Sequence, residues 1–303
     1  MTVARAGDCE AVEEAKRRAE ALDLAQAEAC APVGDGGAVV LRGLPAADMS
    51  LAPTPPSWAK TPREATAEWD ATLLLLASAI GHAFGWEGQQ DGRLVHDIVP
   101  SKGHEYEQTG ASSTVTLTAH TEDAFHPGRA NLLLLACLRN DDRVPTRLSS
   151  VRHTQLSAAD LALLERPTLP ILPDDSYSAG DGQAAAAPPE VATLWDDDDG
   201  LRIRYDPAYT PLEQADPEYR SAYKRLTAEL ERVAIDVTLG AGEVLVIDND
   251  IAVHGRQPFR ARYDGTDRWL KRVSVRQPGT ARPAAEGAEH GYGQRLIDPI
   301  ASS

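Results

Sequence analysis

Apolar positions follow two periods along this chain, helical near the N-terminus and short, β-type runs further on. Asp8 to Ala31 carries Ala and Leu at helical spacing behind a possible Asp8 N-cap, and Pro32 with Gly34 to Gly37 ends that pattern. Ala38 to Leu44 is a short, Gly-bounded apolar run that predicts a strand. Four prolines between Pro53 and Pro62 predict an extended arm. Arg63 to His82 returns to helical spacing, with Trp69, Leu73, Leu76 and Ile80 on one face. From Arg93 onward the runs shorten: Leu94 to Val99, Thr114 to Thr118, Leu132 to Leu138, Arg147 to Val151, Thr168 to Leu172 and Leu201 to Tyr205 all predict strands. Leu156 to Arg166 predicts a short helix and Pro217 to Asp236 an amphipathic one. Three further strands follow at Glu243 to Ile247, Ile251 to His254 and Trp269 to Arg276. Tyr177 to Glu190 is low in complexity and predicts a loop, and Asp196 to Asp199 a solvated acidic turn. Many short strands with frequent turns predict a mainly β fold with flanking helices (α+β), a sandwich or jelly roll. One domain over 1–276 follows, with a helical part at about 8–82 and a β core at about 93–276; the Gly- and Pro-rich residues 277–303 predict a tail.

Charge narrows the range of functions. The 303 residues carry a formal charge of -16 with a pI near 4.9, which repels nucleic-acid phosphates and anionic membrane surfaces. No apolar run approaches the ~20 residues of a membrane span, and the charged N-terminus lacks a secretory pattern. Cys9, Cys30 and Cys137 form no CxxC pair, which argues against a disulfide framework and a Cys-rich zinc site. These features predict a cytoplasmic protein with a small-molecule partner and no nucleic-acid or membrane partner; they say nothing of oligomeric state.

Among eight histidines, His120 alone is followed two residues later by a carboxylate, Glu122. At the end of a strand, residues two apart project to one side. A His and a carboxylate so placed supply two ligands of a 2-His-1-carboxylate triad, which leaves one face of Fe(II) open. His254, at the end of another strand, is the candidate for the third. It begins a segment, His254 to Arg276, with seven Lys or Arg against two Asp; this +5 leaves -21 on the remaining 280 residues. Strand alternation puts Arg268 and Arg272 on one face and Trp269 on the other, and two guanidinium forks suit two carboxylates.

The set HTEDAFHPGRANLLLLACLRN (His120 to Asn140), QQDG (Gln89 to Gly92), PDDS (Pro173 to Ser176) and IDNDIAVHGRQPFRARYDGTDRWLKR (Ile247 to Arg272) resembles the clavaminate synthase-like Fe(II)/2-oxoglutarate oxygenases. The nearest branch is the free amino acid hydroxylases of bacterial secondary metabolism, antibiotic biosynthesis included. The similarity runs from about Ala38 to Arg276 in matching order. It implies a distorted double-stranded β-helix, with His120, Glu122 and His254 as iron ligands. It implies that Arg268 and Thr146 hold the distal carboxylate of 2-oxoglutarate, and that Arg272 holds the substrate α-carboxylate. Gln89 and Glu122 then meet the α-amino end, and Asp206, Asp175 and Ser176 lie near the side-chain terminus. The implied reaction hydroxylates C3 or C4 of a free polar or basic L-amino acid such as lysine, ornithine, arginine or citrulline. O2 is consumed and 2-oxoglutarate leaves as succinate and CO2.

One position departs from the pattern. Arginine hydroxylases of this branch carry a second Asp two residues after the position of Asp206, where this chain has Ala208. A single carboxylate holds an ammonium or one edge of a guanidinium, so lysine, ornithine and citrulline stand level with arginine. Ring closure, desaturation and action on a carrier-tethered amino acid are same-chemistry alternatives, although a thioester offers Arg272 no α-carboxylate. A metal-binding or regulatory protein without catalysis is the alternative of another class. Of the other histidines, His126 and His153 read as surface or loop residues, and His82 and His96 as satisfied structural ones.

Overall fold

The computed structural model describes residues 13–15, 17, 30–44, 51–174, 177, 188–280 and 282–298. Its strands, in chain order, are β1 Ala38–Leu41, β2 His82–Trp86, β3 Val95–Ile98, β4 Leu117–His120, β5 Leu132–Arg139, β6 Thr146–Ser150, β7 Leu194–Asp197, β8 Gly200–Ile203, β9 Ile235–Val237, β10 Val244–Asp248, β11 Ala252–Arg256, β12 Trp269–Arg276 and β13 Leu296–Ile297. Residues 13–15 and 17 are helical, and the α-helices with described bounds are α1 Ala67–Ile80, α2 Ala158–Leu164 and α3 Pro217–Arg232. The side chain of Ser157 caps α2 by accepting from the Asp160 N–H, and that of Asp216 caps α3 by accepting from the Tyr219 N–H, with Pro217 in the first turn.

Two sheets face each other. The larger runs β1-β10-β5-β12-β2-β13, with β3 also paired to β12, and the smaller runs β4-β11-β6-β9. Strand β5 shows why its sequence is continuously apolar. Leu132, Leu134, Ala136 and Leu138 pack toward α1, with Trp69, Leu73 and Ala77, while Leu133, Leu135 and Cys137 pack between the sheets with Leu148 and Ala252. A strand buried on both faces has no polar side to show. Helices α2 and α3 cover the outer face of the smaller sheet, where Tyr219, Tyr223 and Leu226 meet Val253. The layers are thus helix, sheet, sheet, helix. The expected β-rich fold with flanking helices is the fold observed.

Several boundaries differ from expectation. α1 begins at Ala67 after a 3-10 turn at Arg63–Thr66, and it buries Asp70 and Leu74 while Leu76 is only half-buried. His82 to Trp86 is a strand rather than a helix end; its Gly and lack of alternation hid it. Thr168 to Leu172 makes only an isolated bridge, Leu169 to Val191. The described residues between 278 and 298 do not trail away. Glu286 and Glu289 receive hydrogen bonds from the buried Arg129 and Arg204, and β13 pairs with β2. Their Gly and Pro content lowered the strand signal, while the charge pairs that dock them come from distant parts of the chain. The helix read at Asp8 to Ala31 and the loop at Tyr177 to Glu190 lie largely outside the described residues.

Candidate functional site

The β4·β11 ladder brings two histidines together. His254 and His120 are directly opposed in it, their ring centroids 4.5 Å apart. The ladder is unusually close here: a Cβ on Gly255 would lie 2.6 Å from the Leu117 carbonyl oxygen, so the residue after His254 must be glycine. Glu122, two residues past the strand, turns its Oε2 to within 3.4 Å of His254 Nε2 and 3.9 Å of His120 Nε2. One ligand atom from each residue lies within 4.8 Å of the others, a spacing that a single metal ion bridges. His120 Nδ1 donates to the Thr118 carbonyl at 2.8 Å, which leaves Nε2 with its lone pair toward the cluster. Burial, with His120 second, pushes the His254 imidazole below its ordinary value, which favours the neutral form a metal ligand needs.

The Glu122 carboxylate works in two directions. Oε2 faces the histidines, while Oε1 accepts from Arg272 Nη1. Burial alone would raise its pKa, but Arg272 and then His254 outweigh that and hold it well below the usual carboxylate range. Its backbone is fixed by Asn249, whose Oδ1 accepts from the Glu122 N–H at 2.7 Å and whose Nδ2 donates to the Glu122 carbonyl at 3.0 Å. The next residue, Asp123, adopts φ +53°, and its carboxylate accepts from Tyr177 Oη and Trp86 Nε1.

Arg272 is the hub of the adjoining region. Its Nη2 donates to Gln89 Oε1 and to His96 Nδ1, each at 3.0 Å. At the other end of the cavity Arg268 Nη2 donates to Thr146 Oγ1 at 3.0 Å, and burial lowers the Arg268 guanidinium to about 10. Arg256 stands beside it with no carboxylate partner among the described residues. It is held by the Ser112 carbonyl and hydroxyl at 3.0 and 2.9 Å, and it stacks on Phe259. A cavity of about 390 Å³ is lined by His120, Glu122, His254, Arg268, Arg272 and Asp174. A wider, open depression of about 790 Å³ between Asp142–Pro145 and Gln257–Asp264 contains none of these residues.

Every expected metal and 2-oxoglutarate residue, with Gln89 and Arg272, therefore converges on one cavity. The expected side-chain residues are placed less simply. Asp175 and Ser176 lie outside the described residues, and it is Asp174 that lines the wall. Asp206 is half-buried within electrostatic reach of His120 and Asp174; burial raises its carboxyl to about 6, with His120 opposing. Its Oδ1 accepts from the N–H of Ala208, so it also closes its own turn. His96, expected as a structural histidine, contacts Arg272, and His126, expected at the surface, is buried with its ring 4.6 Å from Trp86. Asn249 and Arg256 were not singled out beforehand. Both sit in the motif that carries His254, but Glu122, which Asn249 clamps, and Ser112, which holds Arg256, are more than a hundred residues away.

The model for the taurine catabolism dioxygenase TauD, TfdA family matches residues 69–274. Enduracididine beta-hydroxylase of Streptomyces hygroscopicus is 38% identical over 261 residues, 79% of this chain and 76% of that protein. The crystal structure of the non-heme iron oxygenase OrfP with Fe, succinate and (3S)-hydroxy-L-Arg superposes with a TM-score of 0.79 at 37% identity, covering 89% of this chain and 86% of that one. The same oxygenase with Fe and alpha-ketoglutaric acid gives a TM-score of 0.78 at 38% identity, covering 89% and 85%.

Proposed function

The chain belongs to the TauD/TfdA dioxygenase family and is an Fe(II)/2-oxoglutarate-dependent amino acid hydroxylase, and within that activity we propose that it acts on C3 or C4 of a free, basic L-amino acid. The observation that carries the reading is the divided Glu122 carboxylate. One oxygen faces His120 and His254, and the other faces Arg272, so the metal position and the seat for an amino acid head share one side chain.

His120, Glu122 and His254 would hold the iron: two imidazoles and a carboxylate are a donor set that suits Fe(II). Bound there, the metal supplies oxidative decarboxylation of 2-oxoglutarate by O2, to succinate and CO2, coupled to insertion of one oxygen atom into a C–H bond. Arg268 and Thr146 are the pair for the distal carboxylate of 2-oxoglutarate. Among the described residues Arg268 has no carboxylate partner, and its Nε has no hydrogen-bond partner. At the substrate end, Arg272 exchanges Glu122 Oε1 for the incoming α-carboxylate, and the α-ammonium takes the position beside Glu122 and Gln89. Held by its head, the substrate extends toward Asp174 and Asp206. Two carboxylates from different loops suit a cationic side-chain terminus even though Ala208 removes the acidic pair within one loop. Fixing both ends selects the methylene that reacts. The names of the relatives accord with β-carbon chemistry on guanidino amino acids.

The test is a panel of L-arginine, L-ornithine, L-lysine, L-citrulline and L-asparagine, scored by amino-acid-dependent succinate release and by product mass. One basic member is expected to gain one oxygen. Release stimulated best by a neutral amino acid would overturn the basic specificity, and stimulation by none would overturn the reading of a free amino acid substrate.

A further inference from the structure

His96 and Arg272 are directly opposed on the β3·β12 ladder, and so are Asp97 and Lys271. Strand alternation sends the first pair into the cavity and the second toward α1. His96 Nε2 donates to the Arg93 carbonyl at 2.9 Å, which fixes the tautomer and leaves Nδ1 as an acceptor for Arg272 Nη2 at 3.0 Å. Gln89 Oε1 takes the same nitrogen's other hydrogen. Both acceptors are uncharged. A carboxylate in either place would hold Arg272 as firmly but would neutralise it and compete with the ligand.

Resting on the assignment of Arg272 to the substrate α-carboxylate, we infer that His96 is a positioning residue for amino acid binding: it fixes the plane of the Arg272 guanidinium while leaving its charge for the incoming carboxylate. Nη2 is thereby committed to the protein. Nη1, now on Glu122, is the donor that remains for exchange, and Nε, which has no hydrogen-bond partner among the described residues, is a separate donor on the Nη2 side. The neutral state is secure because burial, and then Arg272 itself, push the His96 imidazole down to about 3. His96 also links the site to the interior, since the side chain of Arg93 is buried against Asp97 and Asp70. The orientation of Arg272 is therefore set by a part of the molecule that solvent does not reach.

Two substitutions separate the two nitrogens. His96→Asn puts an amide oxygen where Nδ1 lies and keeps the acceptor for Arg272, while His96→Gln reaches the Nε2 position and keeps only the Arg93 contact. L-Arginine, L-ornithine, L-lysine and L-asparagine are each titrated calorimetrically and without oxygen into protein loaded with Fe(II) and 2-oxoglutarate, and the tightest binder is followed through the variants. A hydrogen bond to a charged group predicts that His96→Gln raises the amino acid Kd about tenfold, that His96→Asn raises it less than about threefold, and that the KM for 2-oxoglutarate does not move. A harmless His96→Gln, equal losses in both variants, or a parallel rise in the KM for 2-oxoglutarate would overturn the inference. Should His96→Gln not fold, His96→Met fills the space without either polar atom and faces the same tenfold expectation. Arg272→Lys distinguishes the two levels. If it leaves amino acid binding unchanged, the underlying assignment of Arg272 fails; if it weakens binding while His96→Gln does not, only the role of His96 fails.

Discussion

Strand β12 carries charges on both faces, and they are treated in opposite ways. Toward α1, Lys271 is fully buried between Asp70 at 2.7 Å and Asp97 at 2.9 Å, Trp269 Nε1 donates to Asp97 at 2.9 Å, and Arg93 donates to Asp97 at 3.2 Å. Burial would raise the Asp97 carboxyl, but Lys271 and Trp269 outweigh it and bring it below its ordinary value. Toward the cavity, among the described residues, Arg268 hydrogen-bonds a hydroxyl and no carboxylate, and Arg272 meets a carboxylate that is also turned to two histidines. The first group is balanced in charge, Arg93 and Lys271 against Asp70 and Asp97, although Nε and Nη2 of Arg93 have no hydrogen-bond partner among the described residues. The second has positive charge to spare, which is what a site for carboxylate ligands requires. The same alternation makes both, so the difference lies in what the neighbouring elements present: α1 brings Asp70, whereas the smaller sheet brings His120, His254 and Thr146.

Mutations test that contrast. The largest effect on turnover is expected from His120→Ala, which removes a donor from the three-residue cluster. Iron retention and amino-acid-dependent succinate release fall to background, while the metal-free protein keeps its unfolding free energy in urea to within about 0.5 kcal/mol, as for substitutions that break no packing or buried pair. Retained succinate release would break the metal assignment. Next comes the interior. Asp97→Ala strands buried Lys271 and Arg93 and should cost about 3–5 kcal/mol in urea unfolding. Arg268→Ala should cost less than about 1 kcal/mol of stability but raise the KM for 2-oxoglutarate roughly 10- to 100-fold, the worth of hydrogen bonds to a charged group. Similar losses of stability in both variants would erase the distinction between the two faces. The smallest effect is one of pH. A carboxyl raised to about 6 loses its charge as pH falls through that value, so the ionised fraction of Asp206 drops about tenfold between pH 7 and pH 5. The KM for a basic amino acid should rise over that interval, relative to its value for L-asparagine, and Asp206→Asn should flatten the difference. A profile unchanged by Asp206→Asn would assign Asp206 to its turn alone.

Much of the site was legible because it is local or periodic. His120 and Glu122 are two residues apart at a strand end, and Arg268 and Arg272 share a face by alternation alone. The β-rich body followed from run lengths and turn residues. What stayed hidden depends on distant partners. His96 looked like one more histidine near an apolar run until β3 paired with β12, and Asn249 became a clamp only when the turn after β10 met the backbone of Glu122, 127 residues away. The C-terminal segment misled because composition reports flexibility and cannot report that Arg129 and Arg204 wait for its two glutamates.

By itself the sequence determined which chemistry is available: two imidazoles and a carboxylate at strand ends, two guanidiniums in register, and a basic stretch in an acidic chain. Tertiary structure decided which of the charges are used up. Whether a buried Arg or Lys is structural or waits for a ligand depends on the partners brought to it through space, and a one-dimensional pattern fixes the direction of a side chain without fixing what it meets.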